Sequence, residues 1–214
     1  MIAILLVECH ELVRVGIKSV LDAVDGFQVI ADTDNGESAV RLAKQHRPDV
    51  TLLDTGIPGM GGLETTRRLA ALAPFARVIA VAAHDAEAIP EHLIETGAFG
   101  YLSKSATLDE IITAIRSVSR GERYIGAEIA RKMAYSMLPG SAQTPLQRLS
   151  RRELQVMMMV SEGQKTQEIS SSLCLSPKTV STYRYRLYEK LGVDNDVKLT
   201  HFALRHGVIL RQNS

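Results

Sequence analysis

Side chains able to meet an anion, or to transfer one, gather in two parts of this chain. Near its end Ser176 stands directly before Pro177, an N-cap followed by a first-turn proline. A helix is expected to open there, with its free amides and positive dipole end facing outward. Along it Val180, Leu187 and Leu191 take one stripe, while Ser181, Thr182, Tyr185 and Glu189 fall on the opposite face at spacings of three and four. Lys178, Thr179, Arg184, Arg186 and Lys190 surround that face, and Lys165 comes from the preceding helix. Cationic groups and amides hold phosphates and set register, whereas hydroxyls and a phenol on a groove-facing helix read base edges, so the set suits DNA. A lone lysine or arginine here would be an ordinary solvated side chain; the clustering beside a helix start favours the polyanion. The second group is Glu8, Asp54, Ser103 and Lys104, each standing at the end of a short apolar run. His84, His92, His201 and His206 share no metal-ligand spacing, and neither Ser nor Cys has a recognisable base and orienting partner, which leaves hydrolase chemistry without support.

These residues need elements to position them. Apolar, β-branched runs at Ile2 to Val7, Phe27 to Ala31, Val50 to Leu53, Val78 to Ala82 and Gly100 to Leu102 predict five strands. Between them lie amphipathic stretches, among them Leu12, Val13, Gly16, Ile17, Val20 and Leu21, and later Leu108, Ile111, Ile112 and Ile115. Strand and helix in alternation predict an α/β fold, a doubly wound parallel sheet whose ligands bind beyond the carboxyl ends of the strands. The tail, from Leu149 to Val193, shows three helical runs separated by turn signals, a small all-α helix-turn-helix unit in which the Met157 to Met159 triplet fills the core. Tyr124 to Met137 is read as a connecting helix, and LPGSAQTPLQ, Leu138 to Gln147, as an uncharged linker.

Charge follows the same division. Residues 1–130 hold 12 Lys and Arg against 18 Asp and Glu, a net of −6; the remainder holds 13 against 6, a net of +7, within an overall +1. Only the second part is expected to meet a polyanion. No run of about 18 apolar residues is present, so no membrane insertion is expected and a cytoplasmic location is. The two cysteines, Cys9 and Cys174, lie in different predicted domains, and a disulfide between them is not expected. Cys9 reads as a small, half-buried, inert thiol, with redox sensing a weaker alternative that would need its pKa lowered.

LLVECHELVRVGI, LLDTGIPGMGGLE and GAFGYLSKS resemble the receiver domain of two-component response regulators. GQKTQEISSSLCLSPKTVSTYRYRLYEKL and DVKLTHFALRHG resemble the LuxR-type output of the NarL/FixJ family, in particular the GacA/UvrY group. The resemblance implies a receiver over 1–122, a connecting helix and linker over 123–148 and a DNA-binding domain over 149–214. It implies Asp54 as phosphoacceptor, Lys104 as the phosphoryl-pairing lysine, Tyr101 as the switch aromatic, and magnesium held by Glu8, Asp54 and Gly56. Two departures stand out. Cys9 replaces an acidic ligand, which should weaken Mg2+, a cation that prefers hard oxygen donors. Ala82 stands where the family has a switch hydroxyl. Two readings stay open: a receiver that still accepts phosphate at Asp54, and an atypical receiver controlled by dimerisation or a protein partner. In the output unit the resemblance places Ser181, Thr182 and Tyr185 at base-reading positions. It also implies a sensor histidine kinase of the BarA/GacS kind, promoters of small regulatory RNAs as targets, and a homodimer formed through the helix containing Val197, Leu199, Thr200, Phe202, Ala203 and Leu204, whose alternative role is to close its own core.

Overall fold

The computed structural model describes residues 1–82, 94–136, 145–206 and 208. The described residues through Lys132 form one compact unit, and those from Met133 onward belong to a second.

In the first unit the strands are β1 (Ile2–Val7), β2 (Phe27–Thr33), β3 (Val50–Asp54), β4 (Arg77–Ala82), β5 (Gly100–Ser103) and β6 (Tyr124–Ile125). They form one sheet in the order β2-β1-β3-β4-β5-β6, every pairing parallel. The helices are α1 (Glu11–Asp22), α2 (Gly36–His46), α3 (Gly61–Leu72), α4 (Leu108–Ser119) and α5 (Ala127–Ser136), of which residues 133–136 are assigned to the second unit. The end of another helix is described at residues 94–96. Strand β3 is buried along its whole length, as expected for a strand covered on both faces. Alternation along β1 and β3 sends Ile4, Leu6 and Leu52 to a cluster with Leu21 of α1 and Ile115 of α4. Leu5, Val7 and Leu53 go to the other, with Ala39 of α2 and Leu69 of α3. Burial on both faces is what holds the carboxyl ends of β1, β3 and β5 at fixed spacing.

The strand set differs from the five expected by the short β6. Its pairing to β5 is made by backbone groups, with Tyr124 N donating to Phe99 O (3.0 Å) and Gly126 N to Tyr101 O (2.9 Å), and two residues show no side-chain period. The connecting helix therefore starts at Ala127 rather than Tyr124. Along α1 only part of the expected apolar face turns inward: Leu21 is buried and Ile17 packs beside it, while Leu12, Val13 and Val20 are exposed. At the start of α3 the backbone comes so close to the end of β3 that a Cβ on Gly62 would lie 2.5 Å from Thr55 Cα, a position only glycine can occupy.

The second unit contains a 3-10 turn (Pro145–Arg148) followed by α6 (Arg151–Ser161), α7 (Thr166–Leu173), α8 (Pro177–Leu191) and α9 (Asp196–Arg205). Helix α6 is its core, with Leu154 and Val156 through Val160 buried and the methionine triplet among them. Its start carries a capping box: Ser150 Oγ accepts from Glu153 N (3.3 Å), and the Glu153 carboxylate accepts from Ser150 N (2.7 Å). Cys174 ends α7 in the left-handed region at φ 53°, and Ser170 Oγ donates to Leu175 O (2.6 Å), fixing the turn that aims α8. In α9, Leu199 and Ala203 are buried, whereas Val197 is 66% exposed. His84, His92 and most of the expected linker lie outside the described residues.

Candidate functional site

In the first unit Glu8 follows β1, Asp54 closes β3 and Lys104 follows β5. The parallel sheet brings them together at one edge, where Lys104 Nζ lies 2.7 Å from Asp54 Oδ2 and 3.5 Å from Glu8 Oε2. Both carboxylates are buried. Gly56 N donates to Asp54 Oδ1 (2.9 Å), so each oxygen of the expected acceptor has a partner. Burial pushes the Asp54 carboxyl above the ordinary carboxylate value, against the pull of Lys104 and the Gly56 amide. Burial opposes ionisation of Glu8 as well, but hydrogen bonds from the His10 amide and ring, together with Lys104, hold it below its usual value. Lys104 keeps its proton more tightly than usual: burial works against the charge and the Asp54 and Glu8 carboxylates outweigh it. The result is two buried acids bridged by one ammonium, a site shaped for negative charge only when that ammonium stays.

Beside them sits a pair that the sequence reading treated only in part. Cys9 Sγ lies 3.7 Å from Glu8 Oε1, 3.9 Å from Asp54 Oδ2 and 4.0 Å from Gly56 O. Burial, then the Asp54 and Glu8 carboxylates, pushes the thiol up to about 11, so the redox alternative has no thiolate to draw on near neutral pH. His10, absent from the expected set, has Nδ1 2.8 Å from Glu8 Oε1 and 3.3 Å from Cys9 Sγ. The signal available in the sequence was the unbroken run Glu8, Cys9, His10 at a strand end. Ala82 is buried at the end of β4 in register with Ser103, and Lys104 N donates to its carbonyl (2.7 Å). Tyr101, in β5, is wholly buried, which pushes its hydroxyl well above the usual phenol value. Receiver sites commonly hold Mg2+, and Glu8, Asp54 and the Gly56 carbonyl supply hard oxygens for it. The thiol in contact distance of all three adds a soft donor where an octahedral oxygen ion needs another oxygen, so this donor set fits Mg2+ poorly.

In the second unit α8 is capped as expected: Ser176 Oγ accepts from Thr179 N (3.0 Å), and Pro177 opens the helix. Val180 and Leu187 are buried on its inner side. Outward stand Lys178, Ser181, Thr182, Arg186 and Tyr185, the last 63% exposed. Ser181 Oγ donates to Pro177 O (3.1 Å) and Thr182 Oγ1 to Lys178 O (3.0 Å), leaving oxygen lone pairs facing out. Thr179 is half-buried, its hydroxyl 2.8 Å from Ser176 Oγ, and Lys165 is exposed at the start of α7. Two cations of the expected phosphate set have partners inside the unit. Arg184 pairs with Asp196 of α9 and donates to Thr166 Oγ1 (3.0 Å), while Tyr188 OH donates to the same Asp196 (2.5 Å). Lys190 Nζ lies 2.6 Å from the buried Glu153 and 3.2 Å from Arg148 O.

Residues 4–116 match the response regulator receiver domain family, and residues 147–203 match the luxR family of bacterial regulatory proteins. The chain is 46% identical over 209 residues to "Response regulator UvrY" of Escherichia coli K12, covering 97% of this chain and 96% of that protein. It is 44% identical over 210 residues to "Response regulator GacA" of Pseudomonas aeruginosa, covering 98% of each. Among solved structures, RcsB of Salmonella enterica serovar Typhimurium, bound to promoter rprA with a phosphomimetic, shares the fold at TM-score 0.76 and 19% identity over 94% of this chain and 97% of that one. The response regulator ChrA, of a heme-sensing two-component system, matches at TM-score 0.56 and 29% identity, over 97% of this chain and 98% of that chain. These relatives are response regulators, and they do not favour the atypical receiver. The chain belongs to the two-component response regulators that join a receiver domain to a LuxR-type DNA-binding domain and control transcription.

Proposed function

We propose that this regulator is cytoplasmic and that its receiver, residues 1–122, takes a phosphoryl group on Asp54 from the phosphohistidine of a BarA/GacS-like sensor kinase. A connecting segment, 123–148, leads to an output domain, 149–214, that binds double-stranded DNA as a homodimer. An Asp54 carboxylate oxygen attacks phosphorus, the bond from phosphorus to the kinase histidine breaks, and Lys104 neutralises charge on the transferring group. Asp54 Oδ2 already lies 2.7 Å from Lys104 Nζ, and the Gly56 amide orients the other oxygen. Magnesium, which receivers commonly use here, is held weakly because Cys9 replaces an oxygen ligand. Tyr101 is proposed as the switch aromatic, and Ala82 offers no hydroxyl to draw it toward the phosphate.

The observation that carries the DNA reading is α8: a capped helix with one side buried in its unit and Ser181, Thr182 and Tyr185 on the exposed side. We assign these three to base edges and the Ser176 cap, Thr179, Lys178, Arg186 and Lys165 to phosphates. Arg184 and Lys190, expected among the phosphate ligands, are assigned instead to holding α8 against α9 and α6. Fluorescence anisotropy with promoter and random duplexes tests this. Tyr185→Ala should lose preference for the promoter, and Lys178→Ala should weaken both duplexes alike; equal losses on both duplexes for the two variants would count against the assignment. Intact mass after treatment with a small phosphodonor tests the receiver: a phosphoryl adduct present in the native chain and lost in Asp54→Asn is expected.

A further inference from the structure

The place where the receiver departs from a magnesium site is also where it gains a thiol and an imidazole. We propose that Glu8, Cys9, His10 and Asp54 form a binding site for zinc, or a similarly borderline divalent transition ion, in place of the hard magnesium set. One ligand atom from each of the four lies within 4.8 Å of every other. Around a tetrahedral zinc, bond lengths of about 2.0–2.3 Å put neighbouring ligand atoms about 3.3–3.6 Å apart. Here Cys9 Sγ to His10 Nδ1 is 3.3 Å, Cys9 Sγ to Glu8 Oε1 is 3.7 Å, Cys9 Sγ to Asp54 Oδ2 is 3.9 Å and His10 Nδ1 to Glu8 Oε1 is 2.8 Å. Side-chain adjustments of about an ångström would bring the wider pairs to that spacing and centre an ion among them.

The ligand types decide which ion. A thiolate and an imidazole favour zinc, cobalt and their neighbours, and contribute little to an ion that demands six oxygens. The carboxylates are divided in the required sense. Lys104 engages Glu8 through Oε2, which leaves Oε1 to the thiol, the ring and the His10 amide. Asp54 is the weakest of the four, because its Oδ2 is shared with Lys104 and its Oδ1 with the Gly56 amide. The His10 side chain is 62% exposed, so the ion has an entry path on its side, and Arg14 fixes the loop by donating to Glu8 O (2.9 Å). On binding, the Cys9 thiol releases its proton to solvent as the metal–sulfur bond forms, and nothing is oxidised or reduced.

Cobalt(II) is the probe, added to the full reduced chain in a phosphine reductant, because a cobalt–thiolate bond gives a near-ultraviolet charge-transfer band that carboxylates do not. The native chain and Cys174→Ser are expected to bind one equivalent with that band. Cys9→Ser should lose the band, and both it and His10→Ala should lose about tenfold or more in affinity. Zinc should displace the cobalt and a large excess of magnesium should not, while Cys9→Asp should exchange this selectivity for magnesium. Circular dichroism confirms that each variant is folded. No band in the folded native chain, a band lost in Cys174→Ser rather than Cys9→Ser, or displacement by magnesium would overturn the proposal. Because the readout involves neither phosphoryl transfer nor DNA, its failure would leave the assignment of Asp54 as acceptor standing, and failure of that assignment would leave the metal site standing.

Discussion

Asp54 is held between two demands, since a nucleophile has to be ionised and a buried one resists ionisation. Lys104 and the Gly56 amide reduce that conflict without removing it, as the upward push on its carboxyl shows. Restoring an oxygen ligand beside it should help: Cys9→Asp is expected to speed magnesium-dependent phosphorylation by a small donor about tenfold, read by intact mass over time. An unchanged rate would mean that the thiol does not limit the receiver. Within β3, Thr51 is wholly buried and its Oγ1 meets no hydrogen-bond partner among the described residues. Thr51→Val keeps the branched shape and removes the desolvated hydroxyl, so it should raise stability by about 1 kcal/mol in urea unfolding. The Asp54 and Lys104 pair was legible in the sequence through its position at strand ends. His10 was marked only by its place in the run Glu8, Cys9, His10, because a histidine one residue beyond the expected ligands looks like any exposed loop residue until its ring is seen against Glu8.

Helix α8 is held by ion pairs that arrive from other helices, and stability and DNA binding should separate along that line. Lys190 satisfies Glu153, a buried acid that also closes the α6 capping box. Burial raises the Glu153 carboxyl, but Lys190 and the Ser150 amide and hydroxyl outweigh it and hold it below its ordinary value of 4.5. A carboxyl depressed in the folded state contributes stability that is complete above the unfolded value and is lost as pH falls through the folded one. The second unit should therefore weaken as pH falls below the ordinary glutamate value, and more steeply in the native chain than in Glu153→Gln, read from the urea midpoint at a series of acidic pH values. Equal slopes would place the acid sensitivity elsewhere. Ser176→Ala removes the cap of α8 and should cost about 1 kcal/mol of stability. The cap and its proline were legible because they are local. The fates of Arg184 and Lys190 were not, because Asp196 and Glu153 stand on other helices and no periodicity within α8 reports them.

Across the whole molecule, acidic and basic residues are sorted along the chain, −6 through residue 130 and +7 after it. DNA affinity should accordingly reside in the second unit and fall steeply with salt, and Lys178→Ala should flatten the plot of log affinity against log salt by about one unit, whereas Lys190→Met, whose charge is spent on Glu153, should leave the slope nearly unchanged. Comparable slope changes in both variants would show that Lys190 reaches a phosphate after all. Composition, strand and helix order, caps and the division of charge were all readable from local spacing, because apolar period and turn chemistry act within a few residues. Besides the ion pairs of Arg184 and Lys190, three things needed the folded chain: the short sixth strand, whose pairing is purely backbone; the outward apolar residues of α1; and the meeting of Glu8, Cys9, His10 and Asp54. That meeting depends on β1 and β3 lying side by side in parallel register, a relation between segments more than forty residues apart that no local pattern encodes.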